Sequence, residues 1–434
     1  MLDAAKRVCE LTSCPELQGL VSRRACLHRL AAAGMTGVGL AAIGPAMVGS
    51  ASGEAFCRDA AETAPGEAVP SVPLGAISRR VAWGVKLENP GTYDEGLIAA
   101  ITSEKPRFLA IGSGLKFGNL HPLSMSFEGN FAGKPYRTWD ECDDIVRLAE
   151  KLAVPVRGDC LAWNDWLPQW LKDIARQQAA GWREKLQQYF DGHFESVFAH
   201  FAELERGSPG KLMRWCGLVN EPFEPWAASF ARPAWRKGVW LDAFGFASDG
   251  VPAYVHRAFE LARRHAGSKE ISFFLNEANC DNDRFGTIVR PALLRLVDAL
   301  QRSGRKLDAV GLECHLVPQW MSDRQRPDWT PFVAFLKDLS ARGVAIDLTE
   351  LDVNDCSLSD TAQRDHEVAA YMLSFVSAAL AVPAVTMVSN WDLSDKYSWL
   401  RATDPATAAD PSLAISHWAN CVARPSCPRP TIYD

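Results

Sequence analysis

Asp308-Ala-Val-Gly-Leu-Glu-Cys314 and Ala345-Ile-Asp-Leu-Thr-Glu-Leu351 decide the fold. Each is a short, largely apolar run of strand length. Between them Phe332, Phe335, Leu336 and Leu339 fall at helical spacing. The same unit recurs in both directions along the chain. Further strand candidates are Val81–Leu87, Arg107–Ser113, Val154–Leu161, Leu212–Asn220, Glu270–Asn276 and Ala384–Trp391. Helical patterns separate them, among them Val255, Ala258, Phe259 and Ala262, and Leu293, Leu296, Val297 and Leu300. A strand-then-helix unit repeated about eight times specifies a parallel sheet with helical crossovers, and closure at eight makes a (β/α)8 TIM barrel. A doubly wound open sheet would need fewer strands and a phosphate-binding first turn. The glycine-rich stretch Gly37-Val-Gly-Leu-Ala-Ala42 follows no strand and does not supply that turn. The reading is an α/β protein with one barrel over 80–424, a linker at 51–79 and a tail at 425–434.

The 434 residues are 47% hydrophobic and 23% charged, which excludes wholesale disorder. Lys plus Arg number 46 against 52 for Asp plus Glu, a net charge of -6. A weakly acidic chain without a basic tract is a poor binder of phosphate backbones, so no nucleic-acid partner is expected. Residues 1–50 read as an export signal. Arg23-Arg24 precedes an uncharged run from Leu30 to Val48 that is rich in Ala and Gly, in the manner of a twin-arginine leader. A membrane anchor is the other reading of that run, but its glycines make it weakly hydrophobic. The expected location is therefore outside the cytoplasm, with no membrane contact beyond the signal. Of the 12 cysteines, Cys160, Cys216, Cys280 and Cys314 sit singly in apolar runs, as buried free thiols do. Cys421 and Cys427 form the one obvious loop-closing pair. No Cys/His spacing matches a zinc site, and His193 and His200 read as a solvated helix face.

Polar residues collect at the carboxyl ends of the expected strands: Lys116, Asp159, Asn220-Glu221, Asn276-Glu277, Glu313 with His315, Glu350 with Asp352, and Asn390 with Asp392. Any one of them could be a helix cap or an ion-pair partner. All of them at the rim that hosts chemistry in a barrel point to a site. Glu221 ends the fourth strand and Glu350 the seventh, nearly across the mouth. Two carboxyls facing each other suit glycoside hydrolysis, in which one protonates the leaving oxygen while the other attacks carbon or activates water. The 15 Trp residues offer flat faces for sugar rings or, in the blander reading, core packing.

Several ordered blocks resemble glycoside hydrolase family 10, the retaining endo-β-1,4-xylanases, over about residues 80–420. They are Val154-Pro-Val-Arg-Gly-Asp-Cys-Leu-Ala-Trp163, Asn220-Glu221, Asn276-Glu-Ala-Asn279, Gly311-Leu-Glu-Cys-His315, Thr349-Glu-Leu-Asp352 and Trp391-Asp-Leu-Ser-Asp-Lys-Tyr-Ser-Trp399. The resemblance implies Glu221 as general acid/base and Glu350 as nucleophile. It further implies His315 and Asp352 as orienting groups, and Asn220 on the sugar 2-hydroxyl. Lys116, Asp159, Trp163, Asn164, Asn279, Trp391 and Trp399 would line the sugar subsites. No cofactor and no metal are implied; the partner is a polysaccharide or oligosaccharide, and the chain is expected to act as a monomer.

The chain also departs from the family. Gly112 and Ser113 stand where it has a Glu-Asn pair, Asp159 and Asn164 where it has histidines, and Glu313 where it has Gln. Another β-linked polysaccharide, such as a bacterial exopolysaccharide, is therefore an alternative substrate, and a catalytically silent carbohydrate-binding barrel a further reading. Glu313 and His315 are expected on one strand face towards Glu350. A third carboxyl there should leave one member of the pair titrating high. The bland alternative pairs Glu313 with Arg157 or Lys116.

Overall fold

The computed structural model describes residues 73–399, apart from 77, 89, 126–127, 132–133, 207–211, 227–233, 268–269, 355–360 and 395–396. The expected leader, most of the linker, the Cys421/Cys427 pair and the tail lie outside the described residues. Eight parallel strands make up the barrel: β1 (Ala82–Leu87), β2 (Leu109–Ile111), β3 (Val156–Gly158), β4 (Met213–Asn220), β5 (Ser272–Glu277), β6 (Ala309–Leu312), β7 (Ala345–Val353) and β8 (Val385–Asn390). Each pairs with the next, β8 pairs with β1, and β6 pairs with both β5 and β7, so the sheet closes. Five of the six residues of β1 are buried, as are the last eight of the nine in β7. Near-continuous burial is what a parallel sheet covered by helices requires, and it explains why these strands read as apolar runs.

Seven crossover helices are described: α1 (Glu95–Glu104), α2 (Asp140–Lys151), α3 (Trp182–Glu205), α4 (Ala253–Ala266), α5 (Gly286–Arg302), α6 (Thr330–Ala341) and α7 (Thr361–Leu380). An eighth, following β8, would lie outside the described residues. Local chemistry sets their ends. Asp94 caps α1 by accepting from the Leu97 N–H at 2.8 Å, and Lys105 closes it with a left-handed φ of 48°. Helix α2 opens with Asp140, Glu141 and Asp143 and ends with Lys151, which complements the helix dipole. Its buried Cys142, Ile145, Val146 and Ala149 form one stripe against the sheet.

All eight expected strands are present, three of them, β2, β3 and β6, shorter than their apolar runs by three residues or more. Pro106 stands just before the run expected for β2 and Pro155 inside the one expected for β3, and a proline gives the ladder no N–H. Two rim hairpins were not anticipated: Glu128–Phe131 with Lys134–Arg137 after β2, and Phe223–Glu224 with Ala234–Trp235 after β4. His193 corrects the expected solvated helix face. It is buried, and its ring meets His121 at 3.1 Å among Phe117, Trp240 and Phe194. Burial pushes His121 down to about 4 and holds His193 well below the usual value, so both rings are neutral packing groups. His200 is half-buried and bonds Asp143 on α2 at 2.7 Å. Cys142, Cys160, Cys216, Cys280 and Cys314 are buried free thiols.

Candidate active site

Strand β4 delivers Asn220 and then turns sharply. Glu221 has φ 42°, a left-handed backbone for a residue with a Cβ, and its N–H donates to the Asn276 carbonyl at 2.9 Å. Cys314 (φ 59°), Asn279 (φ 63°) and Asp392 (φ 80°) share this conformation on the same rim. Strained backbone concentrated where the strands end suits a site that needs side chains aimed inward. Arg236, next to the second hairpin, clamps Glu221. Its Nε donates to the Glu221 carbonyl at 2.8 Å, its Nη2 pairs with the Glu221 carboxylate, and its Nη1 reaches Asp165.

On the opposite side, His315 connects two carboxylates. Its Nδ1 donates to Asp352 Oδ1 at 2.8 Å and its Nε2 to Glu350 Oε2 at 3.2 Å. Burial works against a charged ring, but Asp352 and Glu350 outweigh it and raise His315 to about 10, so the imidazolium persists at neutral pH. Trp399 Nε1 donates to the other Asp352 oxygen at 2.7 Å, fixing the far end of the chain. Burial would lift Glu350, yet the His315 hydrogen bond and charge, with Lys116 and Arg157, hold it below the ordinary carboxylate value. Glu350 is therefore held as an ionised carboxylate with an orienting cation behind it, which is the state a nucleophile in this position would need.

Asn276 ties the two sides together. Its amide nitrogen lies 2.8 Å from Glu350 Oε1, 3.0 Å from Asn220 Oδ1 and 3.3 Å from Glu313 Oε1, while its oxygen accepts from Thr349 at 2.7 Å. Gly311 makes the approach possible, since a Cβ there would stand 2.3 Å from the Asn276 oxygen. Glu313 is buried, and burial, then Glu221, Glu350 and Glu277, push its carboxyl well above the usual range. The high-titrating member expected of the pair is thus Glu313, and Glu350 is the ionised one. The bland pairing fails: Arg157 is bonded to Asp159, and the Lys116 ammonium lies over Trp166, Trp163 and Trp391 at 5.0, 5.2 and 6.0 Å.

Two residues expected to line the sugar subsites are engaged with the protein itself. Asp159 is buried with its Oδ2 on Arg157 at 2.5 Å, because an arginine inside the barrel needs a counter-charge; Arg157 also donates to the Thr349 carbonyl at 3.0 Å. Asn164 is buried too, its oxygen accepting from the Trp240 N–H at 2.9 Å at the start of the short helix Val239–Phe244. Asn279 forms the bend after β5. Trp163 is half-buried beside Lys116, and Trp391 is buried beneath the cleft, with Lys86 over its ring at 4.6 Å.

Sequence reasoning missed Arg236, Asn276 as a hub, and Glu88. At the end of β1, Lys86 pairs with Asp392 and Glu88, each at 3.1 Å. A Cβ on Gly112 would lie 2.6 Å from the Lys86 stem, so the lysine occupies the space a side chain at 112 would take. Glu88 meanwhile accepts from Ser113 at 3.0 Å and keeps 45% of its side chain exposed. Lys86, then Lys116, hold Glu88 below the usual carboxylate range. The carboxylate missing at 112 is thus present at the same edge of the cleft, supplied by β1. The Lys-x-Glu spacing was its sequence signal, and the interlock with Gly112 was visible only in three dimensions.

A closed eight-stranded barrel carrying two glutamates at the ends of β4 and β7, one of them tied to a half-buried histidine, defines a glycosidase-type barrel. The family model for glycosyl hydrolase family 10 matches residues 102–417, and the chain belongs to that family. It is 27% identical over 340 residues to endo-1,4-beta-xylanase A of Thermoanaerobacterium saccharolyticum, covering 77% of this chain and 26% of that protein. It is 26% identical over 352 residues to the exoglucanase XynX of Acetivibrio thermocellus, covering 80% of this chain and 29% of that one. The chain therefore spans little more than a quarter of the length of either relative. An intracellular xylanase of Thermoanaerobacterium saccharolyticum, solved with xylotetraose, superposes with a TM-score of 0.58 at 23% identity, covering 75% of this chain and 90% of that one.

Proposed function

We propose that this chain is a retaining β-glycosidase that cleaves β-1,4 linkages in xylan or a related polysaccharide. One observation carries the reading: Glu350 is kept ionised by His315 and aimed by Asn276, while Glu221 stands on the far side of the hub. Glu350 attacks the anomeric carbon as Glu221 protonates the leaving oxygen, giving a glycosyl ester on Glu350. Glu221 then takes a proton from water, which displaces the ester and restores the starting configuration. Arg236 fixes the Glu221 carboxyl through both its backbone and its side chain. A twin-arginine leader at Arg23-Arg24 would carry the folded enzyme out of the cytoplasm, in keeping with the buried free thiols.

The glycone edge supports a substrate other than plain xylan. Gly112 contributes no hydrogen bond, Asp159 and Asn164 are turned inward, and Glu88 enters from a different strand. A site loses discrimination for a sugar whose hydroxyls it leaves unpaired. Xylan, mixed-linkage glucan and bacterial exopolysaccharides, screened for products with Glu350→Ala as the blank, test both parts. The expected result is weak cleavage of xylan, stronger cleavage of another β-linked glycan, and β-configured first products. Release of α-configured products, or identical output from the blank, contradicts the reading.

A further inference from the structure

Trp166 belongs to the loop after β3 and is one of four large apolar side chains exposed among the described residues, with 39% of its surface in water. The loop stands at the rim of the cleft. Trp163 borders the Lys116 ammonium at 5.2 Å, and Asp165 takes one arm of the Arg236 clamp on Glu221. Although exposed, the Trp166 indole is firmly held. Its Nε1 donates to Asn119 Oδ1 at 2.5 Å, and its carbonyl accepts from the Gly118 N–H at 3.1 Å. The Lys116 ammonium lies 5.0 Å from the ring centre. A Cβ on Gly118 would stand 2.4 Å from the Trp166 carbonyl oxygen, so glycine is what lets the two segments meet. Asn119 is in turn bonded to Glu141 on α2. The backbone of Trp166 is left-handed, with φ 50°, which a bulky side chain seldom adopts.

Strain and fixed contacts at a ring left in water add little to the core, but a preformed ligand surface requires both. We propose that Trp166 is a stacking platform for one more sugar ring of a β-linked chain, at the glycone end of the cleft beyond the reach of Lys116 and Glu88. The choice of a sugar as occupant rests on the glycosidase reading of the cleft. Lys116 is shared by Trp163 and Trp166, so the platform continues the edge that already carries the lysine. A β-linked pyranose turns its hydroxyls outward and offers a flat C–H face, which an indole can cover without a hydrogen bond. That face is common to xylo- and gluco-configured chains. Trp166 therefore selects for chain length and not for the identity of the sugar, and it supplies binding at an edge where Gly112, Asp159 and Asn164 contribute little.

The test is calorimetric titration of the Glu350→Ala protein, which requires no turnover, with xylo- and cello-oligosaccharides from disaccharide to hexasaccharide. Affinity for at least one series should rise with length. Adding Trp166→Ala should weaken hexasaccharide binding by roughly tenfold and disaccharide binding by much less, so that the length dependence flattens. Trp166→Phe, which keeps a flat face without the N–H, should recover most of the loss. Asn119→Ala, which frees the indole, should give the same length-selective loss at smaller size, a readout that holds even if Trp166→Ala does not fold. Equal loss at both lengths would assign Trp166 to the structure of the loop. No loss, or no binding of either series, would overturn the platform. Cleavage is measured separately with the unmodified chain: a protein that shows the length-selective effect but hydrolyses no glycoside would count against the glycosidase reading alone.

Discussion

The half of the rim built from β4 to β7 and the edge built from β1 to β3 have been shaped by different demands. From β4 to β7, Glu221, Asn276, His315, Glu350 and Asp352 form one connected network with hydrogen bonds of 2.8–3.2 Å. From β1 to β3, the expected polar contacts have moved: Lys86 fills the space beside Gly112, Glu88 joins Ser113, and Asp159 turns to Arg157. A double displacement tolerates little change in where acid and nucleophile stand, because each must meet one reacting atom. A sugar-binding edge needs only a set of hydroxyl partners, and these can come from different strands. The contrast separates what fixes the reaction from what fixes the substrate.

The largest effect should come from the reaction half. Glu221→Ala should lower turnover by roughly 10²–10⁴-fold on a natural glycan while leaving the fold intact, since the carboxyl faces the mouth. Azide should restore much of the rate on an activated aryl glycoside, which needs no acid for departure. Absence of rescue would remove Glu221 from the acid/base role and break the contrast.

A second prediction concerns stability. His315 is raised from 6.5 to about 10 in the folded chain, so folding gains from the protonated ring. That contribution is fully present below about pH 6.5 and is lost as pH rises through about 10. Melting temperatures of wild type and His315→Gln should therefore converge across that window. Parallel curves would show that the imidazolium does not hold Asp352 and Glu350.

The smallest effect belongs to the substrate edge. Glu88→Gln should raise KM by about fivefold, the equivalent of one hydrogen bond of roughly 1 kcal/mol, with kcat little changed. A fall in kcat with unchanged KM would place Glu88 in the reaction half after all.

The fold was legible because parallel strands buried on both faces are written as apolar runs, and helices such as α6 repeat their apolar residues at 3.6-residue spacing. The Glu350 side of the site was legible for a related reason: Glu350 and Asp352 alternate along one strand, so period two places both on one face. Contacts that depend on the spacing between elements were not. Asp159 reads as a rim carboxylate until the buried Arg157 two residues earlier is seen to require it. Asn164 reads as a ligand until the chain returns at Trp240. Arg236 belongs to a long connection after β4 and carries no motif, and the Lys86–Gly112 exchange is a packing event between β1 and β2.

The central claim is that Glu350 forms a covalent bond to sugar, and a 2-deoxy-2-fluoro β-glycoside with a good leaving group tests it most directly, because the fluorine slows release of the ester more than its formation. Intact-mass measurement followed by peptide mapping should find one sugar per chain, on the peptide containing Thr349-Glu350-Leu351-Asp352. A label on Glu221 or Glu313, or continued turnover with no label and an inverted product, would contradict the account.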